Sequence, residues 1–137
     1  MANAIYDKYK TSLLTGTANV SLTTETVKIS LINSGVENFI ATDQFYSDVT
    51  VANGVISTAT LANVSITDGV LDADDVRFLT VPNGSDAAEA LLIWIDTADA
   101  NTSHLVAWLD TNIDGLPITP DGSNVDITWS SQGIFKL

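Results

Sequence analysis

Oxygen-bearing side chains recur at alternate positions in residues 110–115, which read D-T-N-I-D-G. This spacing matches the first half of a calcium-binding loop, in which the glycine permits the sharp turn that brings the oxygens onto one hard cation. An aspartate also stands at the twelfth position of the pattern. The candidate ligands of such a calcium site are Asp110, Asn112, Asp114 and Asp121.

The same segment departs from a calcium loop in several respects. Its twelfth residue is aspartate, which is too short for the two-oxygen contact that glutamate usually makes there. Pro117 and Pro120 interrupt the loop, and strands rather than helices are expected on either side. These departures favour an ordinary acidic hairpin loop, with the calcium site as the alternative interpretation. A second acidic group consists of Asp72, Asp74 and Asp75. These carboxylates either bind a cation together or cap a strand while remaining in contact with solvent.

Other residue types that carry chemistry are sparse. The chain has no cysteine, which excludes disulfides, thiolate zinc sites and cysteine nucleophiles. His104 is the single histidine, begins an apolar strand, and is expected to serve in packing or hydrogen bonding. No glycine-rich phosphate loop follows a strand. We therefore expect no enzymatic activity, no catalytic residue and no bound cofactor other than the calcium of the alternative interpretation above.

The charge of the chain limits its partners. Seventeen acids against five lysines and arginines give a formal net charge of −12, which argues against nucleic acid as a partner because that requires a basic surface. The acidity either confers solubility or fits a basic partner, with Lys8 and Lys10 facing an acidic patch. No apolar run approaches the roughly 18 residues of a membrane span. Residues 1–15 lack the basic-then-apolar order of a secretion signal. We expect a soluble protein that folds where it is made and has no membrane partner.

The elements that must position these residues are mostly strands. Residues 90–109 contain two apolar runs around a polar link, which predicts a β-hairpin whose strands are apolar on both faces and therefore central. Residues 26–32 alternate and predict a half-buried strand with Lys28 and Ser30 outward. Each tryptophan falls on a predicted strand, and we expect at least two of them in the core: Trp94, Trp108 and Trp129.

Two segments predict helical structure. Residues 3–14 carry an apolar stripe that recurs every fourth residue, which predicts an amphipathic helix with Asn3 as its N-cap and Gly16 just past its end. This helix packs on its own body or on a neighbour's. Residues 42–49 predict one helical turn, capped by Thr42, that acts as an aromatic plug at the edge or end of the sheet.

Seven or eight short strands with turn signals between them predict a mainly β fold, an antiparallel β-sandwich or barrel. We expect a single domain over residues 1–137, with a helix in residues 1–16 and a β-body in residues 17–137.

Several stretches resemble a family of small virion proteins of tailed bacteriophages. The similar features are NAIYDKYKTSLLTG, TVKISLI, TDQFYSDV, DADDVRF, LLIWIDTADANTSHLVAWLD and the ending ITWSSQGIF, in that order. The resemblance implies a capsid decoration, or cement, protein that binds the outer capsid surface and bridges major capsid proteins. Such a protein is made in the host cytoplasm, is located on the capsid exterior of the virion, and forms trimers or dimers at local symmetry axes.

Other functions fit the same sequence features. The same pattern of strands and turns is compatible with a tail, neck or fibre-base subunit. The copy number per particle distinguishes such a subunit from a shell protein. The acidic loop favours a different class, a calcium-dependent binding module for sugar or protein ligands.

Overall fold

The computed structural model describes residues 3–49, 54–83 and 87–137, which form a mainly β fold with antiparallel sheets and one helix near the N-terminus. The predicted fold class, including its sandwich-like character, is confirmed. In chain order the elements are β1 (Ala4–Ile5), α1 (Asp7–Thr15), β2 (Thr26–Ile32), a 3₁₀ turn (Tyr46–Asp48), β3 (Val55–Thr60), β4 (Ser65–Thr67), β5 (Val70–Asp72), β6 (Val76–Phe78), β7 (Ala90–Asp96), β8 (Leu105–Leu109), β9 (Val125–Ile127) and β10 (Phe135–Lys136).

The largest sheet is built around the hairpin predicted in residues 90–109. Its strand order is β1-β8-β7-β2-β3, and β7 pairs with β2 along the whole length of both strands. In the hairpin, Leu92 lies opposite Trp108. Every residue of β8 is buried, as is every residue of β7 before Asp96. The prediction that these strands are covered on both faces is confirmed, because water reaches neither face of the pair.

The described residues also form two smaller antiparallel sheets, with strand orders β10-β5-β4 and β6-β9. The turn at Asp68 joins β4 to β5, as the Asp-Gly pair in the sequence indicates. Buried residues from the helix and from all three sheets belong to one hydrophobic cluster, which includes Tyr9, Leu71, Phe78 and Ile93. One continuous core therefore fixes the sheets against each other.

The outer face of β2 differs from the prediction. Ser30 was expected in solvent, but it is fully buried, and its hydroxyl accepts a hydrogen bond of 3.0 Å from the Trp94 indole and shares one of 2.8 Å with Thr58. The ring of Tyr46 stacks on Trp94 with centroids 3.9 Å apart. The period-2 pattern of β2 was misleading because a small hydroxyl can be buried when an indole N–H satisfies it.

The predicted aromatic plug is a shorter 3₁₀ turn, Tyr46–Asp48 instead of residues 42–49, and its N-cap residue is Phe45 rather than Thr42. The carboxylate of Asp48, rather than Thr42, accepts the backbone N–H groups of Gln44 and Phe45. These backbone donors hold the pKa of Asp48 below its ordinary value. The segment also pairs with the residues just before β8, since Tyr46 N donates to Ser103 O at 2.8 Å. It covers the Trp94 face of the sheet at that end.

The N-terminal helix begins later than predicted. Residues 4 and 5 pair with β8 as an edge strand, so their backbone groups serve the sheet instead of a helical turn. Asn3 does not cap the helix. Gly16 ends it in the left-handed conformation, with φ at 71°. The helix packs on its own core, since the buried Tyr9 hydroxyl donates to Val20 O at 2.8 Å, and burial raises the pKa of Tyr9 to about 12. No helix in the described part of the chain is long and apolar enough to cross a membrane.

Candidate functional site

The first half of the predicted calcium loop is tied to the N-terminus. The Asn3 side chain accepts the backbone N–H groups of Asp110 and Thr111, at 2.8 and 2.9 Å, and donates to Thr111 O. The two carboxylate oxygens of Asp110 accept from the Trp108 indole at 3.1 Å and from the Thr111 hydroxyl at 3.0 Å. These contacts anchor the start of the loop to the end of β8.

The other predicted ligands lie in separate local arrangements. Asp114 bridges Thr128 through its backbone, and Asn112 has a left-handed φ of 56°. The Asp121 carboxylate accepts the Ser123 hydroxyl and its backbone N–H, and these bonds lower the pKa of Asp121. Among residues 3–49, 54–83 and 87–137, no group of three or more acids or histidines is placed to hold a metal ion.

The three aspartates of the loop therefore do not converge on one cation position in the structure. The calcium site stays a prediction. Calorimetric titration with calcium separates the two interpretations, because a calcium-dependent binding module gives saturable heat and a raised melting temperature, whereas an acidic loop gives neither.

The second acidic group makes separate hydrogen bonds. Asp72 accepts the N–H of the next residue, and Asp74 accepts the Asn63 amide at 2.6 Å. Asp75 accepts the backbone N–H of Trp129 at 2.9 Å, and the Trp129 indole donates to Asp74 O at 3.0 Å. These contacts join the segment before β6 to the end of β9, which is a structural use of the carboxylates.

The tryptophans divide between core and surface. Trp108 and Trp94 are buried, so the expectation of at least two core tryptophans is confirmed. Trp129 is half-buried and packs against the core from outside. It anchors a turn through its hydrogen bonds rather than filling the interior.

His104 is a buried titratable group beside the plug. Only 6% of its surface is exposed, and its ring lies 5.0 Å from that of Phe45. Within the described part of the chain, its Nδ1 is the one fully buried side-chain polar atom with no hydrogen-bond partner. Burial lowers the pKa of His104 because the charged imidazolium loses its water. Its packing role, expected from the sequence, leaves one ring nitrogen unsatisfied.

This burial predicts a loss of stability in mild acid. Since the folded pKa of His104 lies below its unfolded value of about 6.5, the unfolded chain binds more protons as pH falls below 6.5. The His104 contribution is constant above that pH and becomes destabilising below it, by at most about 1.4 kcal/mol per pH unit. We expect denaturant titrations from pH 8 to 5 to show a steeper fall for the wild type than for His104→Gln. Parallel profiles of the two proteins would contradict this, since their other titrating groups are the same.

An apolar depression of about 390 Å³ lies between the helix and the C-terminus. We call it the helix groove, and its principal lining residues are Tyr9, Leu13, Val20, Leu22, Ile66 and Leu137. Ile66 and Leu137 remain 47% and 57% exposed. Sequence reasoning missed this surface because three distant parts of the chain build it, residues 9–25, Ile66 and Leu137, and none of them is distinctive alone.

A second depression, of about 460 Å³, lies beside the edge strand β1. We call it the edge groove. It is lined by both chain ends and by the segment around Phe39, and it carries Lys10 and Lys136. The sequence places these two lysines 126 positions apart, so only the fold brings them to one surface.

A scan against protein-family models gives no match, and a search of curated proteins gives no significant match.

Proposed function

We propose that this protein is a structural component of a tailed-phage head, a decoration protein that binds the outer capsid surface and bridges neighbouring major capsid proteins. The observation that carries the proposal is the helix groove, an apolar surface on an acidic body whose sheets share one core. Exposed apolar patches with polar rims are typical of protein interaction sites. The segments that resemble phage virion proteins supply the identity of the partner.

Electrostatics support a partner other than a second copy at this groove. The chain carries a net charge of −12, and Glu25 is the acid that lines the groove. Two copies brought together by their helix grooves would repel each other, whereas a basic capsid surface would attract the body and speed its encounter. Trimers or dimers at the local axes of the shell would then be held by the shell as well as by their own contacts.

A decoration protein of this kind stabilises the head through many copies that bind at the same time. Each copy can bind weakly, because simultaneous engagement of neighbouring subunits multiplies the effective affinity. The rigid, doubly covered sheet transmits load between the surfaces that the protein contacts, since close-packed interiors have low compressibility.

Heads that lack the protein test the proposal directly. We expect such heads to lose resistance to heat, and added purified protein to restore it at hundreds of copies per head. A copy number of a few to a dozen would place the protein in the tail, neck or fibre base instead. Heads whose heat resistance does not depend on the protein, in virions that do not contain it, would refute the proposal.

A matched pair of substitutions tests the helix groove. Ile66→Thr keeps a β-branched side chain in β4 but removes apolar surface from the groove, and we expect about a tenfold loss of affinity for depleted heads. Ile40→Thr makes the same chemical change at a residue of similar exposure, 49% against 47%, that does not line either groove. Equal binding by the two variants would show that the helix groove is not the contact surface.

A further inference from the structure

The outer edge of β1 presents a backbone donor and acceptor. Tyr6 N donates to Val106 O at 3.0 Å, and the register places these residues opposite each other. In an antiparallel ladder, hydrogen-bonded pairs alternate with pairs whose N–H and C=O groups point away from each other. Ile5 and Ala107 form the next pair, so the N–H and C=O groups of Ile5 point away from β8, out of the sheet.

The edge groove lies at this same edge, and Ile5 is one of its lining residues. Its other large apolar residues come from three separate parts of the chain: Phe39, Leu109 and Phe135. An open strand edge beside apolar depressions is the arrangement that accepts an added strand, because the backbone bonds supply affinity and the depressions select alternate side chains.

The charge of the edge groove is opposite to that of the protein. Lys10 and Lys136 line it together with Asp7, whose carboxylate lies 3.0 Å from the Lys10 ammonium. Among the described residues, these groups give the groove one net positive charge, in a chain whose net charge is −12. An occupant that carries a carboxylate would be attracted here, whereas most of the protein surface would repel it.

We propose that the edge groove receives an extended segment of the partner protein, which adds a strand to β1 and places an acidic side chain beside Lys136 and apolar ones against Phe39 and Phe135. This inference rests on the proposed function, since it names a second contact with the same partner. No lining residue of the helix groove is shared with the edge groove. A protein with two docking surfaces can hold two neighbouring subunits at once.

Charge reversal at matched positions tests the occupant. Lys136→Glu and Lys8→Glu each change the net charge from −12 to −14, but only Lys136 lines the edge groove. With heads depleted of the protein as the probe, we expect Lys136→Glu to weaken binding at least tenfold and Lys8→Glu to change it less than twofold. Equal losses in the two variants would overturn the inference and show a general effect of charge.

Hydrogen exchange at the Ile5 amide tests strand addition separately. We expect this amide to exchange quickly in the free protein and to become protected when the protein is bound to heads. Binding without protection would overturn the edge groove inference but leave the proposed function standing, whereas no binding by the wild type would overturn both. Protection that appears in the protein alone as its concentration rises would make a second copy the occupant and would also overturn the inference.

Discussion

Leu92→Ala is expected to lower the free energy of unfolding by about 2–5 kcal/mol and the melting temperature by roughly 10 °C. Leu92 is 0% exposed and lies in β7, between Ser30 of β2 and Trp108 of β8. Removing its side chain leaves a cavity that the paired strands cannot close, because their backbones are held on both sides by ladder hydrogen bonds.

Leu79→Ala is the matched control for this change. Leu79 follows β6 and is 71% exposed, so the same deletion there should change stability by no more than about 0.5 kcal/mol. Guanidinium denaturation of both variants gives the comparison. A cost below about 1 kcal/mol at Leu92 would mean that the Trp94 face of the central sheet is not packed as the structure shows it.

The central sheet was the most predictable part of the fold. Apolar residues at every position of residues 90–95 and 105–109 require cover on both faces, and this requirement depends on no distant contact. The boundaries of β2 were also predicted correctly, because its alternation is strong. Where the cover comes from was not predictable, since the stacking of Tyr46 on Trp94 joins residues 48 positions apart.

The helix boundary failed for a different reason. The apolar stripe of Ile5, Tyr9 and Leu13 continues past the observed start of the helix at Asp7. Periodicity alone therefore extends the predicted helix to residue 3. The competing interaction is tertiary, because β8 takes the backbone of residues 4 and 5 into the sheet and Asn3 binds the loop that begins at Asp110. Local propensity gave way to pairing with a distant strand.

The candidate surfaces were the least predictable feature. Motif reading directs attention to residues with reactive or metal-binding groups, and it found the loop after β8 and the single histidine. The two grooves consist of ordinary residues such as Ile66 and Lys136, which become distinctive only where the fold brings the chain ends together. No spacing rule in the sequence marks such a surface.

Gly115→Ala is the second substitution expected to have a large effect on stability. The glycine of the calcium-loop pattern packs closely against β9. Its φ is +109°, and a Cβ added there would collide with the backbone oxygen of Asp126 and would lie 3.1 Å from Cδ1 of Ile127. Left-handed backbone costs a residue with a side chain about 1–2 kcal/mol, and overpacking costs about 1–3 kcal/mol more. We expect Gly115→Ala to lower the free energy of unfolding by about 3 kcal/mol.

Gly122→Ala separates the two causes, since Gly122 has a similar φ of +92° but no atom within 4 Å of an added Cβ. It should cost only the backbone part, about 1–2 kcal/mol. Denaturation of both variants with calcium and with a chelator then tests why the motif has glycine at position 115. If contact with β9 is the whole reason, the cost of Gly115→Ala is the same in both conditions. If the loop also binds calcium, the cost is larger with the ion present, because a ligand bound by the folded wild type adds stability that a distorted loop cannot gain.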